Sequence, residues 1–262
     1  MRTELVSEPG DPARPNEDFA AVGVPAAGQG GVLVVLDGVT PPRGATGCRH
    51  SVPWYTARLG GALTELTVSL PDVPLTEALS RAIHRTATSH SQTCDLSHPR
   101  TPQATVALAR WDGEAVEYLV LSDAALLLES SDGAVTPVLD DRLARLPRAL
   151  LVSDEVADAR ARNKEGGFFT AAADPSVAAR AVTGRAVRAE VRSLTGLSDG
   201  ASRWVETFRE GGWGDLPSYL RKEGADGLVR RVRELESADA EAREFLGRGK
   251  THDDASVVHV EL

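Results

Sequence analysis

Two turn signals in succession constrain this chain more than any composition figure. Trp111-Asp112-Gly113 separates apolar runs at 103–110 and 115–121, and Ser130-Ser131-Asp132-Gly133 separates runs at 124–129 and 134–139. An Asp-Gly pair between β-rich runs is a hairpin signal. Consecutive hairpins make an antiparallel meander, which excludes the strand–helix alternation of a parallel sheet. Upstream, 19–24 and 32–36 read as two further β segments joined by Ala27-Gly28-Gln29-Gly30-Gly31. The spacing predicts helices over 52–70 and 75–91. In the second, Leu75, Leu79, Ile83 and Ala87 recur at i+4, with Pro71 and Pro74 marking the break before it.

Downstream, a helical stretch is expected over about 140–162, followed by Gly166-Gly167-Phe168-Phe169. That segment fits a mobile flap or a buried aromatic corner equally well. Asp174-Pro175 reads as an N-cap and first-turn proline opening a helix to 182. A strand is expected over 188–197, helices over 202–210, 216–222 and 225–245, and a last strand over 255–260. With no linker, repeat or low-complexity tract, 1–262 is expected to be a single α+β domain, helices layered on antiparallel sheets.

The totals narrow the function classes. At 262 residues, 42% hydrophobic and 26% charged, the chain has the composition of a soluble globular protein with a substantial core. A formal net charge of −9 argues against a nucleic-acid partner. The first ten residues lack the apolar core of a secretory signal, and the aliphatic run 32–36 is too short to cross a bilayer. The expectation is a cytoplasmic monomer with no membrane partner. Cys48 and Cys94 form no CxxC, so neither a disulfide scaffold nor a cysteine-rich zinc site is indicated. His90, Cys94 and His98 have a zinc-like i+4 spacing, but two imidazoles and one thiol make an incomplete set. The few lysines against many arginines suggest a GC-rich genome.

Four acidic motifs carry the chemistry: Asn16-Glu17-Asp18, Asp37-Gly38, Ser198-Asp199-Gly200 and His252-Asp253-Asp254. Those at Asp37 and Asp199 close β-rich runs, and the last opens the final one. Acids at strand ends can converge from far apart in sequence. Two unit charges about 4 Å apart interact by roughly 4 kcal/mol at an effective dielectric near 20, so clustered carboxylates need a counter-charge. An all-oxygen donor set selects Mg²⁺ or Mn²⁺ over zinc.

In order and setting these motifs, with Ala104-Thr105-Val106 and Ser122-Asp123-Ala124 between them, resemble the metal-dependent protein phosphatases of the 2C type, in their bacterial form. The match runs from Arg14 to the C-terminus. The resemblance implies a four-layer α-β-β-α sandwich, two antiparallel sheets packed face to face with helices on both outer faces. It implies two Mg²⁺ or Mn²⁺ ions, with a third, weaker one at Asp123. Asp37 would bridge the pair, the Gly38 carbonyl would ligate one, Asp199 and Asp253 would hold the other, and Glu17 would act through water. Asp18 would orient water, and Arg14 would bind phosphate. The implied activity is hydrolysis of phosphoserine and phosphothreonine in a phosphorylated protein substrate, by a water activated at the two-metal centre. The chain departs from the family pattern in three places. Val39-Thr40-Pro41-Pro42 follows Asp-Gly, Ser122-Asp123-Ala124 replaces Gly-Asp-Ser, and Arg14 stands three residues before Glu17 instead of four.

Two other classes compete. One is a catalytically silent phosphatase-like binding module, suggested by these departures. The other is a serine hydrolase, since Gly196-Leu197-Ser198-Asp199-Gly200 fits GxSxG and His252 and Asp239 lie downstream. Gly249-Lys250-Thr251 imitates the end of a P-loop, but Glu244 stands where its first glycine belongs.

Overall fold

Strands buried on both faces organise the molecule. In the computed structural model, which describes residues 1–26, 28–42, 44–245 and 250–262, β1 (Arg2–Glu8), β2 (Phe19–Gly23) and β3 (Gly31–Leu36) precede the meander. The meander itself is β4 (Val106–Trp111), β5 (Ala115–Leu121), β6 (Ala125–Ser130) and β7 (Val135–Leu139). β8 (Val182–Val187), β9 (Val191–Leu197) and β10 (Ala255–Glu261) complete two five-stranded sheets. Their orders are β1-β10-β9-β6-β7 and β2-β3-β4-β5-β8, and every pairing is antiparallel. Ala27 of the glycine-rich turn and Gly249 of the P-loop-like tripeptide lie outside the described residues.

The period-two alternation of the strands divides the apolar side chains among three layers. Leu33, Val35, Ala107, Leu126, Leu194 and Val258 meet between the sheets. Val32, Val34, Leu36 and Leu108 face outward onto α1 (Val52–Ser69) and α2 (Leu75–Thr88). On the opposite face, Leu127, Leu197 and Val257 pack on α4 (Asp199–Glu206) and α5 (Leu216–Ala242). This is the expected four-layer α-β-β-α sandwich. Each fully buried Val or Leu contributes about 1.5–3 kcal/mol relative to exposure, which is why β3 carries no polar side chain.

Local chemistry sets the element ends. The Ser51 hydroxyl caps α1 by accepting from Trp54 N at 3.3 Å. Gly60 lets α1 lie against β2, because a Cβ there would sit 2.1 Å from the Phe19 ring. α5 takes in the expected helix 216–222 and the expected helix 225–245 as far as Ala242, where left-handed Arg243 ends it, and breaks at Gly224, where φ is 76°. Glu4 of β1 re-caps the second segment, accepting from Ala225 N at 2.8 Å.

Three expectations change. The stretch 140–162 holds only a 3-10 turn at Arg148–Leu150 and the short α3 (Asp154–Arg160). Pro147 interrupts the helical pattern, and Asp140 is drawn off to bind Ser122 N and Arg142. The helix expected from Pro175 is a 3-10 turn, Pro175–Arg180, followed by β8 on the edge of its sheet. β1 was not foreseen: its side chains are mostly exposed and polar, and its pairing with β10 is a backbone matter. No helix among the described residues is long and apolar enough to cross a membrane.

Candidate active site

The acids gather at one end of the sandwich because close backbone approaches bring their loops together. Asp37 leaves the end of β3, and its carbonyl accepts from Thr105 N at 2.8 Å. The next residue must be glycine: a Cβ on Gly38 would lie 2.4 Å from the Glu17 carbonyl oxygen and from Val52 Cγ1. That contact lays the 16–18 loop beside Asp37. Gly200 plays the same part for the C-terminal motif, since its Cβ would lie 2.0 Å from the Asp254 carbonyl oxygen. Asp199 opens α4, and its backbone N–H donates to Asp37 Oδ2 at 3.3 Å across 162 positions.

Asp37, Gly38, Asp123, Asp199 and Asp253 line a common cavity of about 940 Å³, with Thr40 and Lys250 on its wall. An adjoining cavity of about 600 Å³ takes in Glu17, Arg14 and the far side of Asp253. Asp18 is half-buried as a residue, but both its carboxylate oxygens are buried. Thus Glu17, Asp18, Asp37, Asp123, Asp199 and Asp253 come to one place. Arg14 stands at the rim, exposed and paired with Asp11 at 3.5 Å.

Their electrostatics follow from burial. Desolvation, then the charges of Asp199, Asp18 and Asp123, holds the Asp37 carboxyl well above the usual range. Burial and then Asp253 raise Asp199. Burial lifts Asp123 to about 6, with Asp199 adding to the rise. Glu17 is raised by burial, against a hydrogen bond from Thr40. Burial pushes Asp18 up to about 7, opposed by Ser256 and Ser198 and reinforced by Asp199 and Asp254. Neither Asp18 oxygen reaches a partner of normal hydrogen-bond geometry. Orphaned buried oxygens beside several raised carboxyls, with no imidazole or thiol among them, are the donor set of a hard divalent cation. The residues present fit Mg²⁺ or Mn²⁺.

The departures acquire structural reasons. Ser122, standing where the family pattern has glycine, adopts φ of 66°, the left-handed region. Asp140 steadies it by accepting from Ser122 N at 2.9 Å, and the Ser122 hydroxyl donates to Asp123 Oδ1 at 3.2 Å. The Gly166–Phe169 segment is a buried aromatic corner. Phe168 and Phe169 are 3% and 8% exposed, with Arg162 over the first ring and Arg142 and Arg180 over the second. Phe168 also closes one wall of the large cavity.

Sequence reasoning missed three participants. Asp254 ties the site together, accepting from Gly10 N at 2.8 Å and Glu17 N at 2.6 Å. Arg203 donates to Asp253 Oδ2 at 3.0 Å while also bonding Glu236. Lys250 reaches Asp253 Oδ1 at 2.8 Å and Thr40 Oγ1 at 2.9 Å. A second acid adjoining Asp253 and a basic residue three before it were the available signals. The hydrolase elbow dissolves: Ser198 is fully buried and its Oγ accepts from Ser256 N at 2.9 Å, while His252 is committed to Glu236 at 2.9 Å.

Comparison with known proteins bears on the family and the fold. A family model described as Protein phosphatase 2C matches residues 13–211. The serine/threonine phosphatase Stp1 from Staphylococcus aureus superposes with a TM-score of 0.61 at 12% identity, covering 100% of this chain and 95% of that one. The Mycobacterium tuberculosis serine/threonine phosphatase PstP/Ppp gives 0.58 at 17% identity, covering 100% and 98%. A catalytic domain of PstP in complex with two manganese ions gives 0.58 at 18% identity, covering 99% and 97%. At these identities the likeness is one of fold. No curated protein matches the sequence.

Proposed function

The chain belongs to the Protein phosphatase 2C family, and from that premise we propose that it is a Mg²⁺- or Mn²⁺-dependent phosphatase of phosphoserine and phosphothreonine in proteins, working as one domain over 1–262. One observation carries the reading. Acids as far apart in sequence as Asp37 and Asp253, with Asp123 and Asp199 between them, line a single cavity, and three of the four have carboxyls raised by burial and by one another.

Asp37, the Gly38 carbonyl, Glu17, Asp199 and Asp253 would hold the ions, with Asp123 available to a third. When bound, such a pair supplies Lewis acidity toward water and neutralises charge on the phosphoryl oxygens. The protein's own groups do the rest. Asp18, with both carboxylate oxygens buried, orients the attacking water and accepts its hydrogen bond. Arg14 at the rim meets the phosphoryl oxygens as the phosphate arrives. Asp254 keeps Glu17 in register through the Glu17 N–H. Gly38 keeps the Glu17 loop close, because any side chain there would push it away.

The test is release of phosphate from a phosphothreonine peptide. The reaction should require Mn²⁺ or Mg²⁺ and stop on addition of EDTA. Esterase activity that ignores EDTA and vanishes in Ser198→Ala would assign the serine-hydrolase chemistry instead.

One observation favours the silent-module reading. Both Asp253 oxygens are engaged by the protein's own cations, Arg203 and Lys250, so an arriving ion would compete with two positive charges. Absence of turnover together with absence of Mn²⁺ binding would decide for that reading.

A further inference from the structure

Away from the acids, Cys48, His90 and Cys94 form a compact trio. Cys48 lies on the loop between β3 and α1, and the other two lie on the turn after α2. Their ligand atoms all fall within 4.8 Å of one another, the one such group of His, Cys, Asp or Glu among the described residues; the acids of the cavity are spread more widely. Cys48 Sγ is 3.0 Å from Cys94 Sγ and 3.4 Å from His90 Nδ1. Both cysteines are free. The spacing of His90, Cys94 and His98 had suggested an incomplete set. α2 ends at Thr88, so these three share no helical face, and His98 Nδ1 instead accepts from Arg100 N. Cys48, 46 residues from Cys94, takes the place of His98 as the third donor.

We infer that Cys48, His90 and Cys94 form a three-donor site for a thiophilic divalent cation, Zn²⁺, that fastens the loop after Asp37-Gly38 to the loop after α2. Two sulfurs and an imidazole nitrogen are borderline-soft donors, the opposite of the all-oxygen cavity, so the two sites select different metals. With Zn–S about 2.3 Å and Zn–N about 2.0–2.1 Å, tetrahedral neighbours stand roughly 3.5–3.8 Å apart. The His90–Cys48 separation meets that spacing, and the sulfurs need to part by under about 1 Å. A disulfide would need them to close by a similar amount, to about 2.05 Å, and would leave the aligned imidazole without a role. Two thiolates neutralise Zn²⁺, so the partly buried site carries no net charge. Ligation releases one proton from each thiol. The His50 N–H donates to Cys48 Sγ at 3.4 Å, an outer bond that supports a thiolate. The His50 and Trp54 rings wall one side of His90. A water would complete the tetrahedron.

The location gives the site a purpose. The same two loops already meet through Asp95 N and the Gly47 carbonyl at 2.7 Å, and through Val39 N and the Gln103 carbonyl at 3.0 Å. A cation there fixes Val39–Pro42, which line the large cavity. The inference stands whether or not the phosphatase reading does.

The test uses the whole chain, kept reduced by a phosphine and freed of metal. Titration with Co²⁺ should develop one equivalent of thiolate-to-cobalt charge-transfer absorption, bleached by one equivalent of Zn²⁺ but not by Mn²⁺. Cys94→Ser should lose the band, and His90→Ala should weaken Co²⁺ binding at least tenfold. Zn²⁺ should also shield both wild-type cysteines from alkylation, reversibly by chelator, a readout that needs no variant to fold. No thiolate band in the wild type, an unchanged band in Cys94→Ser, or a Cys48–Cys94 disulfide that forms despite Zn²⁺ would overturn the inference.

Discussion

Asp18 shows how a single residue can oppose the fold it belongs to. Its folded-state carboxyl sits at about 7 against an ordinary 3.8, with burial the leading cause, only partly offset by Ser256 and Ser198, neither of which reaches good hydrogen-bond geometry. A raised acid binds its proton more tightly in the folded state, so it costs stability above the ordinary carboxylate range, increasingly until pH passes the folded value. Asp18→Asn removes the charge and keeps the shape. In the metal-free protein the variant should gain more in melting midpoint at about pH 8 than at about pH 5, while its turnover with Mn²⁺ falls. Equal midpoint changes at both pH values would contradict the assignment of strain to the ionised form. Asp37 and Asp199 stood out in the sequence because Asp-Gly at the end of an apolar run is a local pattern. Asp254 was not readable, since its partners are the backbone N–H groups of Gly10 and Glu17, which leave no mark on the composition around it.

Elements defined by side-chain periodicity were legible and those defined by backbone pairing were not. α1, β3 and the meander strands β4, β5 and β6 stand within a few residues of expectation, because both their faces or one clear stripe are apolar, while the edge strand β7, exposed at Thr136 and Pro137, was legible from the Asp132-Gly133 turn before it. β1 and β8 are edge strands with mostly exposed side chains, and their partners lie far off in sequence. The adjacent glycines of α1 test the packing of this layer. Gly60→Ala drives a Cβ into the Phe19 ring and should cost about 1–3 kcal/mol by overpacking. Gly61→Ala meets nothing within 4 Å and should stabilise by up to about 1 kcal/mol through helix propensity. Denaturant unfolding of both variants reads the contrast, and equal effects would refute the close α1–β2 approach.

For the molecule as a whole, the raised carboxyls of Glu17, Asp18, Asp37, Asp123 and Asp199 act in one direction. Without divalent cations the folded chain holds protons that the unfolded chain has released, so stability should fall as pH rises from about 4 to about 7. Mn²⁺ should raise the midpoint most at the upper end of that range, since it binds the folded state and competes with those protons. Thermal melts across this range with EDTA or with Mn²⁺ measure the difference, and parallel curves would count against a cation site at the acids. The fold placed these groups together by means the sequence states only in pieces: strand-end acids, glycines that permit close passage, and a chain whose first and last strands pair. The most direct test is a calorimetric titration of Mn²⁺ into the wild-type protein and into Asp37→Asn. The account predicts at least two Mn²⁺ ions per wild-type chain and loss of that binding in the folded variant. Identical isotherms for the two proteins would contradict it.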